Sequence, residues 1–277
     1  MMFNRQIAEL PIVNGAHRPS GTANLLRPLE SSQQIEDGME QIRYPRKALL
    51  DLASVACLTR RKPYDREDSV FEADPEGVAA VQFRLMQRRL VNVYEHGGLL
   101  LVTSPGAGDG KSLTAHNLAW ALAEAGNDTL LLELDLRRPT QTHRLGAAPL
   151  ISICDVLSGR AAPEDALRKI SGLPLGFIGL ERPAKDPVAL LRSSAMPHLL
   201  SWAKNNFSWI IIDAPPLLPV ADVEELLPRV DVVALVIRER VTPARLVQRA
   251  VERLGNRLDF TILNDAQLSA SDGYRYG

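Results

Sequence analysis

The feature that most constrains the fold is an unbroken apolar run, GLLLVT at residues 98–103, which leads directly into the glycine-rich stretch SPGAGDGKS at 104–112. An apolar run of this length indicates a β-strand that is covered on both faces. Similar runs at 129–133, 208–213 and 230–237 alternate with stretches of helical spacing. Because strands that alternate with helices pair in parallel through crossovers, the sequence predicts a doubly wound α/β fold with a mainly parallel sheet and helices on both faces.

Other elements give weaker patterns. Short apolar runs predict further strands at 176–180 and 259–263. The helix after the glycine-rich stretch is predicted to span Lys111–Ala125 and to be amphipathic. A helical stretch at 186–206 contains Pro197, and it is predicted to be kinked or broken there because proline lacks the backbone donor that a helix interior needs.

The regular pattern divides the chain into three parts. Residues 1–70 follow no regular pattern, residues 71–265 are predicted to form the α/β domain, and residues 266–277 are predicted to be a flexible tail that contains two tyrosines. A short polar segment at the end of a chain is typically mobile.

Composition excludes several functional classes. With a formal net charge of −1, the chain has no excess of positive charge that would favour nucleic acid. Its longest apolar runs are far shorter than the ~20 residues that cross a bilayer, and the first residues lack the apolar core of a signal peptide. The two cysteines, Cys57 and Cys154, do not form a disulfide framework or a metal-binding pattern. We therefore expect a cytoplasmic protein.

The glycine-rich stretch lies where ligands bind in such folds, after a strand and before a helix. It departs from the usual phosphate-binding pattern G-x-x-x-x-G-K-[ST], because Pro105 stands where the first glycine would be and Gly106 follows one place late. Its glycines let the backbone curl so that several N–H groups can point at phosphate oxygens. Lys111 brings positive charge to the outer phosphates, and the Ser112 hydroxyl can bind Mg²⁺. The stretch therefore predicts a nucleotide site.

Three carboxylates follow apolar strands. Glu133 and Asp135 come at the end of TLLLELD, and alternation places both on the same side of the strand end. Asp213 closes the run WIIID. A carboxylate after a buried strand can hold Mg²⁺ directly or through water. Each could alone be a capping or solvated residue, but together with the lysine loop they predict a site for a Mg²⁺–nucleotide complex.

Three segments carry a resemblance to a known family: VTSPGAGDGKSLTAHNLAWALAEAG, LLLELDLRRP and WIIIDAPPLLPVADVEELLPRVDVVALVI. They resemble the bacterial tyrosine kinases (BY-kinases) of capsule and exopolysaccharide assembly, which belong to the ParA/MinD-like P-loop ATPases. KDPVALLRSSAMPHLL and the C-terminal GYRYG are also similar to that family, so the resemblance covers about residues 75–277. In this family the first glycine of the loop is commonly absent. Gly106 stands where ParA/MinD proteins carry a lysine, which favours the kinase branch.

The resemblance implies an ATP-dependent protein-tyrosine autokinase that requires Mg²⁺. It implies that Lys111, Glu133, Asp135 and Asp213 are catalytic, and that Ser112, Asp135 and Asp213 hold the metal. Either Glu133 or Asp135 would orient or deprotonate the attacking tyrosine hydroxyl, whose ordinary pKa is ~10. Autophosphorylation would fall on Tyr274 and Tyr276. The implied nucleotide-binding residues are Gly106, Ala107, Gly108, Asp109, Gly110, Lys111, Ser112 and Leu113.

The family resemblance also implies partners. A separate transmembrane polysaccharide co-polymerase would act as activator, and the protein would lie at the inner face of the cell membrane only through that partner. The family's oligomerising helix reads E-x-x-R-x-x-R, but the aligned residues here are Val81, Arg84 and Gln87, so self-association is open.

Two alternatives remain open. Glu133 stands where the family usually has aspartate, and the tail has two tyrosines where a run is usual. Both departures favour a catalytically weak nucleotide-binding adaptor of the polysaccharide machinery, and the two tyrosines could also occur by chance. A ParA/MinD-type positioning ATPase is the other alternative, against which the missing lysine and the terminal tyrosines weigh.

Overall fold

The computed structural model describes residues 57–58, 69–146 and 149–266. They contain one eight-stranded sheet in the order β1-β4-β5-β3-β6-β2-β7-β8. The strands are β1 Cys57–Leu58, β2 Gly98–Thr103, β3 Thr129–Glu133, β4 Arg168–Ile170, β5 Leu175–Ile178, β6 Trp209–Asp213, β7 Val232–Arg238 and β8 Phe260–Asn264.

Most neighbouring strands are parallel. The pairs from β5 through β3, β6, β2 and β7 to β8 are all parallel, whereas β4 is antiparallel to β5 and β1 is parallel to β4. The carboxyl ends of the six central strands therefore meet at one edge of the sheet. This architecture confirms the predicted doubly wound, mainly parallel α/β fold.

Helices connect the strands, and two short 3₁₀ turns lie at Leu227–Arg229 and Gly255–Arg257. The α-helices are α1 Val70–Ala73, α2 Val78–Val93, α3 Lys111–Glu124, α4 Gln141–Arg144, α5 Ile153–Leu157, α6 Pro163–Ala166, α7 Pro187–Leu191, α8 Ala195–Asn206, α9 Asp222–Leu226 and α10 Ala244–Leu254. Within the described ranges, none of these helices has both the length and the apolar character needed to cross a membrane.

The two faces of the sheet have separate cores. In β2, Leu99 and Leu101 pack into one core with α8, α9 and α10, while Leu100 and Val102 pack into the other with α1, α2 and α3. Every residue of β2 after Gly98 is buried. A strand covered on both faces has no polar side, which explains its continuous apolar sequence.

The helix after the glycine-rich loop differs from the amphipathic helix predicted from the sequence. Helix α3 is buried on most of its surface, including polar residues such as Thr114, His116 and Asn117. It lies between the sheet and α2, so that prediction was wrong: a helix with neighbours on two sides has only a narrow exposed edge. The helix ends at Glu124, and Gly126 follows it with a φ of 85° and a backbone hydrogen bond to Ala123 O, a conformation that glycine commonly adopts after a helix.

The break near Pro197 also lies elsewhere than predicted. The helix is interrupted between α7 and α8, at residues 192–194, and Pro197 lies in the first turn of α8. Backbone N–H groups in a first turn have no partner within the helix, so proline is tolerated there. The interruption was correctly predicted, but its position precedes the proline.

Candidate active site

The loop between β2 and α3 curls at two glycines. Gly108 and Gly110 have φ values of 89° and 94°, in the left-handed region that side chains disfavour. At Gly110 a Cβ atom would lie 2.0 Å from Asn264 Nδ2, so no larger residue fits without rearrangement. Asn264 Nδ2 in turn donates to Asp109 O at 3.0 Å. The end of β8 therefore holds the loop in its curled form.

The Asp109 side chain stabilises the same loop through two hydrogen bonds. Its Oδ2 accepts a hydrogen bond from Gly106 N at 3.0 Å, and its Oδ1 accepts one from Thr242 Oγ1 at 2.7 Å. Both carboxylate oxygens are thus used inside the protein. A contribution of Asp109 to phosphate binding would therefore come from its backbone, while its side chain fixes the loop.

Four of the predicted site residues form one buried cluster. Lys111 Nζ lies 2.8 Å from Asp135 Oδ2 and 3.3 Å from Asp213 Oδ1. Lys111 also donates to Ser112 Oγ at 3.0 Å, and Ser112 Oγ donates to Asp213 Oδ1 at 3.0 Å. The carboxyl ends of β3 and β6 and the start of α3 bring these groups together.

The charges of this cluster compensate one another. Burial by itself lowers the pKa of Lys111, but the nearby carboxylates of Asp213 and Asp135 outweigh it and the pKa is raised. Lys111 is therefore a cation throughout the physiological range. A permanent positive charge at the start of a helix, beside backbone N–H groups, favours an anionic ligand such as a phosphate.

Glu133 lies apart from this cluster, although its Cα is the direct neighbour of Asp213 in the sheet register. Its Oε1 accepts hydrogen bonds from the backbone N–H groups of Thr140 and Gln141, the latter at 2.6 Å. Burial, followed by the charge of Asp213, raises the pKa of Glu133 to about 7, against the lowering effect of the backbone hydrogen bonds. Glu133 and Asp135 thus have different polar neighbours, the backbone after Thr140 for Glu133 and Lys111 for Asp135.

Gln141 is a site residue that the sequence reading missed. Its Nε2 donates to Asp213 Oδ2 and to Ser112 O, both at 2.8 Å. It lies in the short helix α4, which no apolar pattern predicts. Asn264 was not predicted either. It directly follows the apolar run FTIL, just as Asp213 follows WIII, so the same pattern could have identified it.

A cavity of about 380 Å³ opens beside the loop. Lys111, Ser112 and Asp135 line it, whereas Glu133 and Asp213 do not. Three arginines, Arg138, Arg144 and Arg238, also line it, so cationic residues outnumber the two aspartates in its wall. The remaining lining residues are Ala107, Gly108, Gly110, Leu113, Thr140, Pro216, Asn264 and Asp265.

The donor set fits Mg²⁺ with a nucleotide. Hard oxygen donors, which Mg²⁺ prefers, are available from Ser112, Asp135 and Asp213. Across the described residues, no three His, Cys, Asp or Glu side chains come together as a metal centre. Such a site therefore needs phosphate and water oxygens to complete octahedral coordination, which is how Mg²⁺ usually binds with nucleotides.

The helix that aligns with the family's oligomerising motif is α2. Arg84 forms two hydrogen bonds to Glu124, at 2.8 and 2.9 Å, and a third to Pro75 O at 2.7 Å. Gln87 is buried, and Val81 is exposed. The one arginine that matches the motif is thus engaged within this chain.

The predicted phosphorylation sites, Tyr274 and Tyr276, lie outside the described residues, as does most of the region 1–70.

Known proteins provide an independent comparison. The VpsO kinase domain superimposes with a TM-score of 0.64 at 33% identity, covering 68% of this chain and 95% of that chain. The tyrosine-protein kinase CpsD of Streptococcus agalactiae is 30% identical over 65% of this chain and 80% of CpsD. The succinoglycan biosynthesis transport protein ExoP of Rhizobium meliloti is 34% identical over 50% of this chain. No family model matches the chain.

The relatives differ in length. The chain spans 18% of ExoP and 25% of the AmsA protein of Erwinia amylovora, but most of the length of CpsD and of the VpsO domain. The chain therefore belongs to the family of bacterial tyrosine-protein kinases.

Proposed function

We propose that this protein is an ATP-dependent protein-tyrosine autokinase that regulates the polymerisation or export of a capsular polysaccharide or exopolysaccharide. The observation that carries the proposal is the buried cluster in which Lys111 contacts both Asp135 and Asp213 at the start of α3. In this cluster the lysine of the glycine-rich loop forms ion pairs with two carboxylates. Family membership supports tyrosine as the acceptor.

The proposed reaction transfers one phosphoryl group. The tyrosine hydroxyl oxygen forms a bond to the γ-phosphorus of ATP, the bond from that phosphorus to the β–γ bridging oxygen breaks, and ADP leaves with that oxygen. The hydroxyl proton passes to a carboxylate. Asp135 is suited to this role, because it borders the cavity and lies beside Lys111. Transfer of this kind depends mainly on placement and on neutralisation of charge.

The other site residues place and neutralise the phosphates. The loop from Gly106 to Gly110 would offer its backbone N–H groups to phosphate oxygens, and Lys111 would move from its carboxylate partners to the outer phosphates. Ser112, Asp135 and Asp213 would hold Mg²⁺, which when bound neutralises charge on the transferred phosphate. The arginines at 138 and 144 add positive charge to the cavity wall.

The proposed acceptors are Tyr274 and Tyr276 in a second copy of the chain, so self-association accompanies the reaction. A separate transmembrane polysaccharide co-polymerase is the proposed activator, and the protein would lie at the cytoplasmic side of the membrane through that partner. These assignments rest on the family resemblance. Relatives named for tyrosine kinase activity and for succinoglycan transport support them.

A second candidate function is a nucleotide-gated adaptor with weak phosphotransfer. The position of Glu133 favours this adaptor function, because the Glu133 carboxylate accepts hydrogen bonds from backbone amides. Of Glu133 and Asp135, Asp135 borders the cavity and Glu133 does not. An adaptor would bind Mg²⁺ and ATP through the same cluster but would transfer little phosphate.

One experiment separates the two. The purified chain is incubated with labelled ATP and Mg²⁺, with and without the cytoplasmic segment of a candidate membrane partner, and phosphotyrosine is measured. The kinase proposal expects phosphotyrosine that increases when the partner segment is present. Nucleotide binding without phosphotyrosine in either condition would support the adaptor, and cargo-stimulated ATP hydrolysis without phosphotyrosine would support a positioning ATPase.

A further inference from the structure

We propose that Arg138 is a catalytic residue, whose guanidinium contacts the transferred phosphoryl group and neutralises the charge that this group carries in the transition state. This inference deepens the proposed function and rests on it. It assigns one of the two adjacent arginines after β3, Arg138, to the chemistry and the other, Arg137, to the fold.

The two arginines have different surroundings. Arg137 donates to both carboxylate oxygens of the buried Asp222, from Nε at 2.8 Å and from Nη2 at 3.0 Å, and it does not line the cavity. Arg138 does line the cavity, and within the part of the chain that the structure describes its guanidinium has no hydrogen bond or ion pair. Arg137 therefore connects this turn to the start of α9, whereas the Arg138 side chain is available to a ligand.

The backbone of Arg138 is fixed next to the buried lysine. Asp135 Oδ1 accepts a hydrogen bond from Arg138 N at 3.0 Å, and Asp135 Oδ2 lies 2.8 Å from Lys111 Nζ. Asp135 thus connects the lysine of the loop to the backbone from which the Arg138 side chain starts. This places Arg138 at the end of the nucleotide site where Lys111 would bind the outer phosphates.

The charges at this end of the site favour a further cation. Lys111 contacts two carboxylates, those of Asp135 and Asp213, so the negative groups of this cluster outnumber its one cation. A transferred phosphoryl group is itself negative, and its charge is spread over three equatorial oxygens in the transition state. A guanidinium adds a permanent positive charge and paired N–H donors that match two phosphate oxygens. Arg138 can supply both without breaking an ion pair.

The other two arginines of the cavity wall are placed less well for this role. Arg238 is the last residue of β7, and β6 and β2 lie between β7 and β3 in the sheet. Three strand spacings of ~4.8 Å put these strand ends ~14 Å apart. Arg238 also donates to Asp265 Oδ2 at 2.9 and 3.0 Å. Arg144 acts on the buried His116, whose pKa is lowered to about 3, first by burial and then by the charge of Arg144.

Three variants test the inference: Arg138→Met, Arg138→Lys and Arg238→Met. Methionine removes the charge, and lysine keeps the charge without the paired donors. Arg238→Met is the matched control, because it removes the same charge from the opposite side of the same cavity. Two quantities are measured: the affinity for a fluorescent ADP analogue with Mg²⁺, in the presence and absence of aluminium fluoride, and the rate of phosphotransfer at saturating ATP. Bound aluminium fluoride takes the place of the transferred phosphoryl group. Thermal unfolding checks that each variant folds.

Wild type should bind the ADP analogue more tightly with aluminium fluoride, because that complex resembles the transition state. Arg138→Met should bind the analogue alone within ~3-fold of wild type, but lose most of the gain from aluminium fluoride and ~10²-fold or more of the phosphotransfer rate. Arg138→Lys should lie between Arg138→Met and wild type in both quantities. In Arg238→Met the gain from aluminium fluoride should stay within ~3-fold of the wild-type gain, because any lost affinity is lost equally with and without it.

Three results overturn the inference: an Arg138→Met variant that keeps the gain and the rate, one that loses affinity equally with and without aluminium fluoride, or an equal loss of the gain in Arg238→Met. Wild type that shows the gain but makes no phosphotyrosine would contradict the proposed kinase function instead. The ratio of the two affinities would then still decide the role of Arg138. Wild type without the gain would contradict both.

Discussion

Lys111 and Asp135 form a buried ion pair, with Nζ 2.8 Å from Oδ2. The carboxylate partners of Lys111 are distant in the sequence, because the fold provides them from the ends of β3 and β6. The lysine therefore has a structural role as well as the proposed role in phosphate binding. The proposed nucleotide binding would require Lys111 to exchange carboxylates for phosphates, which would couple the two roles energetically.

The first prediction concerns the charge of Lys111. In Lys111→Met the carboxylates of Asp135 and Asp213 lose their cation while buried, and removal of one partner of a buried ion pair costs about 3–5 kcal/mol. We expect the variant to fold, to be less stable by that order in chemical denaturation, and to lose phosphotransfer. Lys111→Arg is the matched control, which keeps the charge and should be less destabilised. Unchanged ATP turnover in folded Lys111→Met would remove this residue from the site.

The second prediction concerns the metal. Asp135→Asn and Asp213→Asn each replace an oxygen donor and a negative charge in the cluster, so each should weaken Mg²⁺-dependent nucleotide binding by ~10-fold or more. Equilibrium binding of a fluorescent ADP analogue over a Mg²⁺ titration measures this. Asp186→Asn is the control, because Asp186 is a helix N-cap, a role that asparagine fills equally well. Titrations that overlay wild type would refute the metal assignment.

The third prediction concerns the tail. Tyr274→Phe combined with Tyr276→Phe should remove most autophosphorylation without changing nucleotide affinity. Tyr94→Phe is the control: the Tyr94 ring packs edge-on against Trp209 with centroids 6.3 Å apart, and phenylalanine keeps that contact. Site mapping by mass spectrometry checks the assignment. Phosphotyrosine found mainly at Tyr44, Tyr64 or Tyr94 would show that the tail is not the acceptor.

The fourth prediction concerns pH. The pKa of Glu133 is raised from its ordinary 4.5 to about 7. Between these values the folded state holds a proton that the unfolded state has released. The stability that Glu133 contributes is therefore fully present below pH 4.5 and is lost as the pH rises through 7.

Without Mg²⁺ and nucleotide, the unfolding free energy of wild type minus that of Glu133→Gln should fall as the pH rises from about 5 to 8. The slope should reach at most ~1.4 kcal/mol per pH unit, the value for one proton. The subtraction removes other titrating groups such as His116, whose pKa burial lowers to about 3. A difference that is constant with pH would mean that Glu133 is ionised in the folded protein at neutral pH.

The central strands could be predicted because each is buried on both faces, which leaves a continuous apolar run such as WIIID in β6. Strand β4 could not be predicted. Its three residues, Arg168–Ile170, are only half-buried, and they pair at one side with the two-residue β1. A short strand near the edge of a sheet has no apolar pattern to distinguish it from a loop.

The site was partly predictable for a related reason. Carboxyl ends of parallel strands share one edge of the sheet, so Asp135 and Asp213 could be expected near Lys111 from sequence alone. Gln141 reaches the cluster through a turn that Glu133 holds, and no local pattern encodes that contact. For the same reason the sequence does not show that Glu133 and Asp135 have different hydrogen-bond partners.

The most direct test is mass spectrometry of the purified protein after incubation with ATP and Mg²⁺, with and without the cytoplasmic segment of a candidate membrane activator. Our account predicts phosphotyrosine on wild type that is lost in Lys111→Met, in Asp135→Asn and in the double tyrosine variant. Wild-type protein that binds Mg²⁺ and nucleotide yet carries no phosphotyrosine in either condition would contradict the kinase assignment.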